Sequence, residues 1–371
     1  MSWLAWRQFR MQAIAGAVML AALAVLMLVT GLHLRDLYEA SGLAHCKAGG
    51  CGDASSEQVV GTYGTLRRLL GIGVIVAPLL VGVFWGAPLI SRELESGTFR
   101  LAWTQSVTRT RWLAVKLAVV GCSGIVVCEL YSLMLTWWAQ PVDHLELNRF
   151  EPGIFDERGI VAIGYAAFAF ALGVFAGAVT RRTLLAIAIT VLAFLGLRLG
   201  FALGVREHLE SPSQVSSPLS FGKGVGLVGT PSGVIPAVNT PRIPKAWALS
   251  AEIVEKNGRA VPERTLAKAF RALCPAAAEP PKPQGEGPGP QEVERCFAEL
   301  SKSYHELVTY QPEDRFWLFQ GIETAIFIAL AALLAAASFW WIGREAPRRE
   351  PSRTAARRGA RRLDATGAGA A

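Results

Sequence analysis

A polytopic all-α membrane protein with six transmembrane helices is the fold class this sequence predicts, and three observations carry it. Hydrophobic residues make up 52% of the 371 positions and charged ones only 18%, against about 25% charged in an ordinary soluble domain. The apolar residues are gathered into six runs, 12–33, 69–91, 112–138, 159–180, 183–204 and 316–342, each near the ~20 residues a helix needs to cross a bilayer core. Arginines collect on alternate connections between these runs. Lipid offers no partner for a backbone amide, so each run is expected to be helical.

The chain opens with "MSWLAWRQFR". Trp3, Trp6 and Phe9 stand at near-helical spacing beside Arg7 and Arg10, which suits a short interfacial helix over 1–11 with rings at headgroup depth. The other reading is an extension of the first span. That span, "MQAIAGAVMLAALAVLMLVTGL", outruns a signal-peptide core of roughly 7–15 residues, and no A-x-A cleavage site follows it. It is expected to stay as an anchor. Residues 12–204 then form a five-helix membrane bundle.

Orientation follows the positive charges. With the N-terminus inside, the cytoplasmic segments are 1–11, 92–111, 181–182 and the tail from Gly343. They hold Arg7 and Arg10; Arg92, Arg100, Arg109 and Arg111; Arg181 and Arg182; and eight tail arginines. The outer loop 139–158 is acidic instead, with Asp143, Glu146, Glu151, Asp156 and Glu157 against Arg149 and Arg158. Arg67 and Arg68 argue the other way and are outnumbered. Both termini are expected in the cytoplasm, and the excess of arginine over lysine, 29 to 8, suggests a GC-rich bacterial genome and so the plasma (inner) membrane of a bacterial cell.

Residues 205–315 form a large extracytoplasmic loop domain. Its first part, "ESPSQVSSPLSFGKGVGLVGTPSGVIPAVNTPRIPKAW", is rich in Gly, Pro and Ser and reads as turns. Two helices are expected after it, 262–274 and 290–308, with a disordered or polyproline connector, "PAAAEPPKPQGEGPGP", between them. The sixth helix, 316–342, follows. The tail 343–371 sets eight arginines against Glu345, Glu350 and Asp364. It is expected to be disordered and to lie along anionic membrane lipid, with no nucleic-acid partner.

Every cysteine outside the spans has a mate in its own outer loop: Cys46 with Cys51, and Cys274 with Cys296. These four are disulfide candidates on the oxidising side, with connectivity left open. No metal site is expected, because no C-x-x-C pair exists and the five histidines are scattered.

Nothing in the chain supplies power for a reaction. There is no G-x-x-x-x-G-K-[ST] loop for nucleotide phosphates; "FGKGVGLVG" has the residue types without the spacing. No H-E-x-x-H or G-x-S-x-G stands out either. The chain is therefore expected to be a pathway or a scaffold, with no catalytic residues. Against that background the connector "LISRELESGTFRLAWTQSVTRTRW" at 89–112 is conspicuous, being charged between two apolar spans. Glu93 and Glu95 follow the second span, Gly97 permits a turn, and Arg109, Arg111 and Lys116 sit where headgroups would hold them.

With "GAPLISRELESGTFRLAWTQSVTRTRWLAVK" (86–116), "FDERGIVAIGYAAFAFALGVFAGAVTRRT" (155–183) and "YQPEDRFWLFQGIETAIFIALAALLAAASFWWI" (310–342), the sequence resembles bacterial type-two (ABC-2) exporter permeases, especially actinobacterial ones. The resemblance spans all six helices and is weaker in the large outer loop. It implies the permease subunit of an ATP-driven exporter, with a cytoplasmic ABC ATPase as a separate subunit that binds ATP and magnesium, and with a second permease copy alongside. It also implies that 92–111 couples to that ATPase. The residues expected to carry the coupling are Glu93, Glu95, Gly97, Thr98 and Arg100, the acids meeting a basic rim on the partner and "TFRLAWTQS" lying flat as a short amphipathic helix. The rival is a membrane-anchored sensor or assembly factor whose working part is the outer loop 206–315.

Three ionisable residues fall inside the runs: Glu129, Arg198 and Glu323. At ~1.5 Å per residue all three lie in the outer half of the bilayer. Charges there usually pair, so Arg198 is expected to meet Glu323 or Glu129, either as a register-fixing ion pair or as part of an exit path. Gly173 and Gly177 are expected to do no more than let helices approach closely.

Overall fold

The computed structural model describes residues 2–42, 53–96, 108–143, 149–150, 152–220, 225–238, 243, 246–278 and 289–344. Among them six helices are long and apolar enough to cross a membrane: Phe9–Ala40, Gly61–Ser96, Arg109–Pro141, Val161–Thr180, Thr183–His208 and Glu313–Arg344. The protein is a multi-pass membrane protein.

The first helix, α1, runs unbroken from Ser2 to Ala40. The separate interfacial helix expected at 1–11 is therefore not a distinct element. No proline, glycine or capping side chain interrupts residues 2–15, so helical hydrogen bonding simply continues into the span. The second span is compound: α2 (Asp53–Leu80), a π-wound segment (Val81–Gly86) and α3 (Ala87–Ser96). Pro78 lies inside α2 and has no amide hydrogen to donate one turn back, which loosens the helix just before the wider turns. The third span repeats the device, with α4 (Arg109–Lys116), a π-wound segment (Leu117–Gly121) and α5 (Cys122–Asp143). A short helix, α6 (Pro152–Glu157), leads into the fourth span, α7 (Val161–Thr180). Gly159, at φ +72°, makes the turn between them, a conformation cheap only for glycine. The fifth span is α8 (Thr183–Gly200), closed by a π-wound segment (Phe201–Val205) and a 3₁₀ turn (Arg206–His208).

The fourth span is the centre of the bundle. Of its most apolar stretch 83% is buried by the rest of the chain, against 6% for the first span. Small residues make this possible. A Cβ on Gly82 would lie 2.6 Å from the Ala169 carbonyl oxygen, one on Gly86 2.6 Å from that of Phe170, and one on Gly177 2.6 Å from that of Ala87. The second and fourth spans thus meet backbone to backbone through glycines spaced four apart on both helices.

The segment between the fifth and sixth spans holds strands where turns were expected, which corrects the all-α fold class. After the fifth span come β1 (Ser213–Pro218), the hairpin β2 (Val225–Thr230) and β3 (Gly233–Val238), and β4 (Trp247–Glu255). The helices α9 (Glu263–Leu273), α10 (Pro275–Ala278) and α11 (Pro290–Leu300) follow. The helix expected over 290–308 ends at Leu300, and Tyr304–Gln311 is a strand, β5. Its run YHELVTY carries the β-formers Tyr304, Val308, Thr309 and Tyr310, and Glu306 and Val308, two apart, are buried on one face as a strand requires. Strand β5 is central in an antiparallel sheet of order β1-β5-β4, and β2 pairs with β3 separately. Because β1 leaves the fifth span and β5 enters the sixth, their pairing closes the domain at its root. There Gln311 Nε2 donates to the Glu210 carbonyl at 2.8 Å, and Arg315 Nη1 to that of Ser211 at 2.6 Å. The sixth span belongs to α12 (Phe316–Arg344). Phe150, Phe155, Phe316 and Phe319 form a buried aromatic cluster between domain and bundle, with Trp247 stacked 6.0 Å from Phe150.

Cys274 and Cys296 are bonded as a disulfide, fastening the end of α9 to α11 over the buried pair Phe270 and Phe297. The second disulfide candidate pair, Cys46 and Cys51, lies outside the described residues, as do the 279–288 connector and the tail from residue 345.

Candidate functional site

Charged side chains converge at the two ends of the bundle. At the end where 92–111 emerges, α3 carries Glu93 and Glu95 on successive faces. Lys116, only 5% exposed, donates to Glu93 Oε1 at 2.5 Å and lies 4.6 Å over the ring of Trp112. Glu95 takes two hydrogen bonds from Thr183, one from the backbone amide at 3.2 Å and one from the hydroxyl at 2.8 Å. A carboxylate thus caps the N-terminus of α8 from another helix, where the helix dipole favours negative charge. Ser91 also shares a 2.8 Å hydrogen bond with the Thr183 hydroxyl. From the other flank, Arg109 Nη1 donates to the Ile342 carbonyl near the end of the sixth span at 3.4 Å.

Both acids expected to face a partner are thus engaged within the chain, pinning α3 to the third and fifth spans. Gly97, Thr98 and Arg100, with the short helix expected around them, lie outside the described residues.

At the opposite end lies a buried ionic network. Arg206, at 0% exposure, donates through Nε to Glu323 Oε2 at 2.9 Å and through Nη2 to Glu323 Oε1 at 3.0 Å; Nη2 also reaches Asp156 Oδ1 at 2.5 Å. The Tyr165 hydroxyl donates to Glu323 and also lies 3.2 Å from Asp156 Oδ1, its single proton shared between the two carboxylates. Arg198 donates to Asp156 Oδ2 at 3.1 Å and to the Ile75 carbonyl at 2.6 Å, with its guanidinium 4.5 Å over the Tyr165 ring. Two carboxylates and two guanidiniums in mutual contact carry no net charge, which is how such a cluster survives away from water. Beside it Gln320 accepts from the Val161 amide at 2.9 Å and donates to the Phe155 carbonyl at 2.9 Å, holding the α6–α7 turn against the sixth span.

A second cluster adjoins the first. Arg158 grips Asp143 with two hydrogen bonds of 3.2 and 3.1 Å and lies 3.5 Å from Glu157, which also faces Arg67 at 4.0 Å. Arg67, the residue that ran against the charge asymmetry, is thus matched by an acid.

Arg198 and Glu323 are both in the first network, but they are not partners of each other. The expected pairing is corrected: Arg198 meets Asp156, and Glu323 meets Arg206. Glu129 joins neither, being half-buried with Oε2 shielded and without a hydrogen bond among the described residues. Asp156 and Arg206 escaped sequence reasoning because they fall just outside the apolar runs. The available signal was the acid surplus of loop 139–158 together with an unmatched arginine in the fifth run.

Residues 17–206 match the family model described as ABC-2 membrane transporter related. No curated protein and no solved structure matches the chain.

Proposed function

Because the chain belongs to the ABC-2 membrane transporter related family, we propose that it is the transmembrane permease subunit of an ATP-driven exporter, of the actinobacterial type. In this reading a separate cytoplasmic ABC ATPase binds ATP and magnesium and carries out hydrolysis, while a second permease copy completes the pathway in the cell membrane. Residues 92–111 receive the motion of the ATPase. What supports the coupling role is the bracing of that segment: Glu93 on Lys116, Glu95 on Thr183 and Arg109 on Ile342 tie its two flanks to the third, fifth and sixth spans. A push on the segment is then delivered to several helices at once, and the acids act as braces rather than as contacts with the partner. At the far end the Arg206–Glu323–Asp156–Arg198 network holds the fourth, fifth and sixth spans together until that push arrives.

Purification of the full chain from its native membranes should bring an ATP-binding-cassette ATPase with it. In the double variant Glu93→Gln, Glu95→Gln the ATPase should still co-purify, while ATP-dependent export falls by about tenfold, equivalent to ~1.4 kcal/mol. Absence of any ATPase in the wild-type preparation overturns the permease reading. Wild-type export by the double variant would reduce the segment to a topology marker.

The orientation has its own check. Reporters fused after Arg182 or at the C-terminus should register as cytoplasmic, and one inserted near Gly287 as external. An external C-terminus overturns the proposed sidedness.

A further inference from the structure

The outer sheet buries a carboxylate that no described residue neutralises. On β5, Glu306 and Val308 alternate onto one face, opposite Ser217 and Val215 of β1 in the antiparallel register. Val308 is 2% exposed and Glu306 8%. No hydrogen bond or ion pair joins the Glu306 side chain to any other described residue, and burial alone pushes its carboxyl above the ordinary glutamate range. The side chain lines a cavity of about 550 Å³ whose other walls are Val215, Pro218, Ile243 and Val308, with the side chains of Ser217 and Ser220.

Largely buried and without a side-chain partner among the described residues, Glu306 turns its carboxylate into the cavity, where a charge so poorly solvated is costly unless something pairs with it. The cavity falls within the ~300–1,000 Å³ typical of small-molecule sites. One carboxylate matches one positive charge, and the aliphatic walls match an apolar body. A bare metal ion fits poorly, because no group of three His, Cys, Asp or Glu suited to one exists among the described residues. We propose that this cavity binds an organic monocation with an apolar body, its charge against Glu306 and its body against Val215, Pro218, Ile243 and Val308. The site stands whether or not the chain couples to an ATPase.

The test uses the full chain in detergent with tetraphenylphosphonium as the probe, and tetraphenylborate as a probe of the same shape and opposite charge. Saturable phosphonium binding is expected, weakened about tenfold or more by Glu306→Gln, as loss of a charge-assisted contact should do. Ser220→Trp, which fills the cavity without touching the charge, should weaken it as well. Tetraphenylborate should bind with no dependence on residue 306. In the absence of probe, Glu306→Gln should raise the thermal midpoint, since it removes an unpaired buried charge. Equal phosphonium binding by wild type and Glu306→Gln overturns the proposal. So does a lowered midpoint, which would mean that the carboxylate already has a partner.

Discussion

Glu323→Ala is expected to destabilise the protein by about 3–5 kcal/mol, the cost of breaking a buried ion pair by removing one partner. Arg206 is fully buried and spends two of its donors on Glu323. Its Nη1 makes no hydrogen bond among the described residues, so nothing stands ready to take the place of the lost carboxylate. Asp156 would be left between two guanidiniums, with Arg206 at 2.5 Å and Arg198 at 3.1 Å. Glu323→Gln keeps the shape and loses the charge, so its cost should be smaller. Glu323→Ala combined with Arg206→Met should recover much of the loss, because two apolar side chains no longer need each other. Unfolding in mixed detergent micelles gives all four corners of that cycle. A strongly non-additive result is expected. Additive single losses would mean that the two side chains are independent, and the network would then fail as a lock between the fourth, fifth and sixth spans.

Gly173→Leu should be nearly as damaging, for a steric reason. A Cβ at Gly173 would strike the Gly82 carbonyl oxygen and lie 2.7 Å from the Ala87 amide nitrogen. These are backbone atoms of a helix and cannot rotate away, so the second and fourth spans must separate. Overpacking of this kind costs about 1–3 kcal/mol, and more where the backbone has to move. The matched control is Gly196→Ala in the fifth span, where an added Cβ meets nothing within 4 Å. Alanine there should be neutral or stabilising by up to ~1 kcal/mol, since glycine is the poorer helix former. Thermal stability of the purified chain reads both. If Gly173→Leu leaves the midpoint unchanged, the glycine-on-glycine contact is not what holds these helices together.

The sequence by itself determined the six spans. Apolar length is a local property, and a segment of about 20 apolar residues has no low-energy state in lipid other than a helix. Cys296 was legible as a candidate mate for Cys274 because it shares its loop, but the connectivity was open until the structure joined the two. Helix α9 was legible too, falling within the helix expected at 262–274.

What only the tertiary structure decided are the pairings between distant segments. Strand β1 meets β5 nearly a hundred residues later, and strand preference depends on the surface a strand packs against, so a Gly-, Pro- and Ser-rich stretch read alone as turns. Glu93 and Glu95 looked like free charges because Lys116 and Thr183 come near them only once three spans are packed side by side. Arg198 looked like a partner for Glu323 because both lie within apolar runs. Yet Asp156, just before the fourth run, and Arg206, just after the fifth, complete the network. Hydropathy marks where a chain enters and leaves the membrane. It does not say which charge at the rim will fold inward, because that depends on which opposite charges the packed helices deliver to the same place.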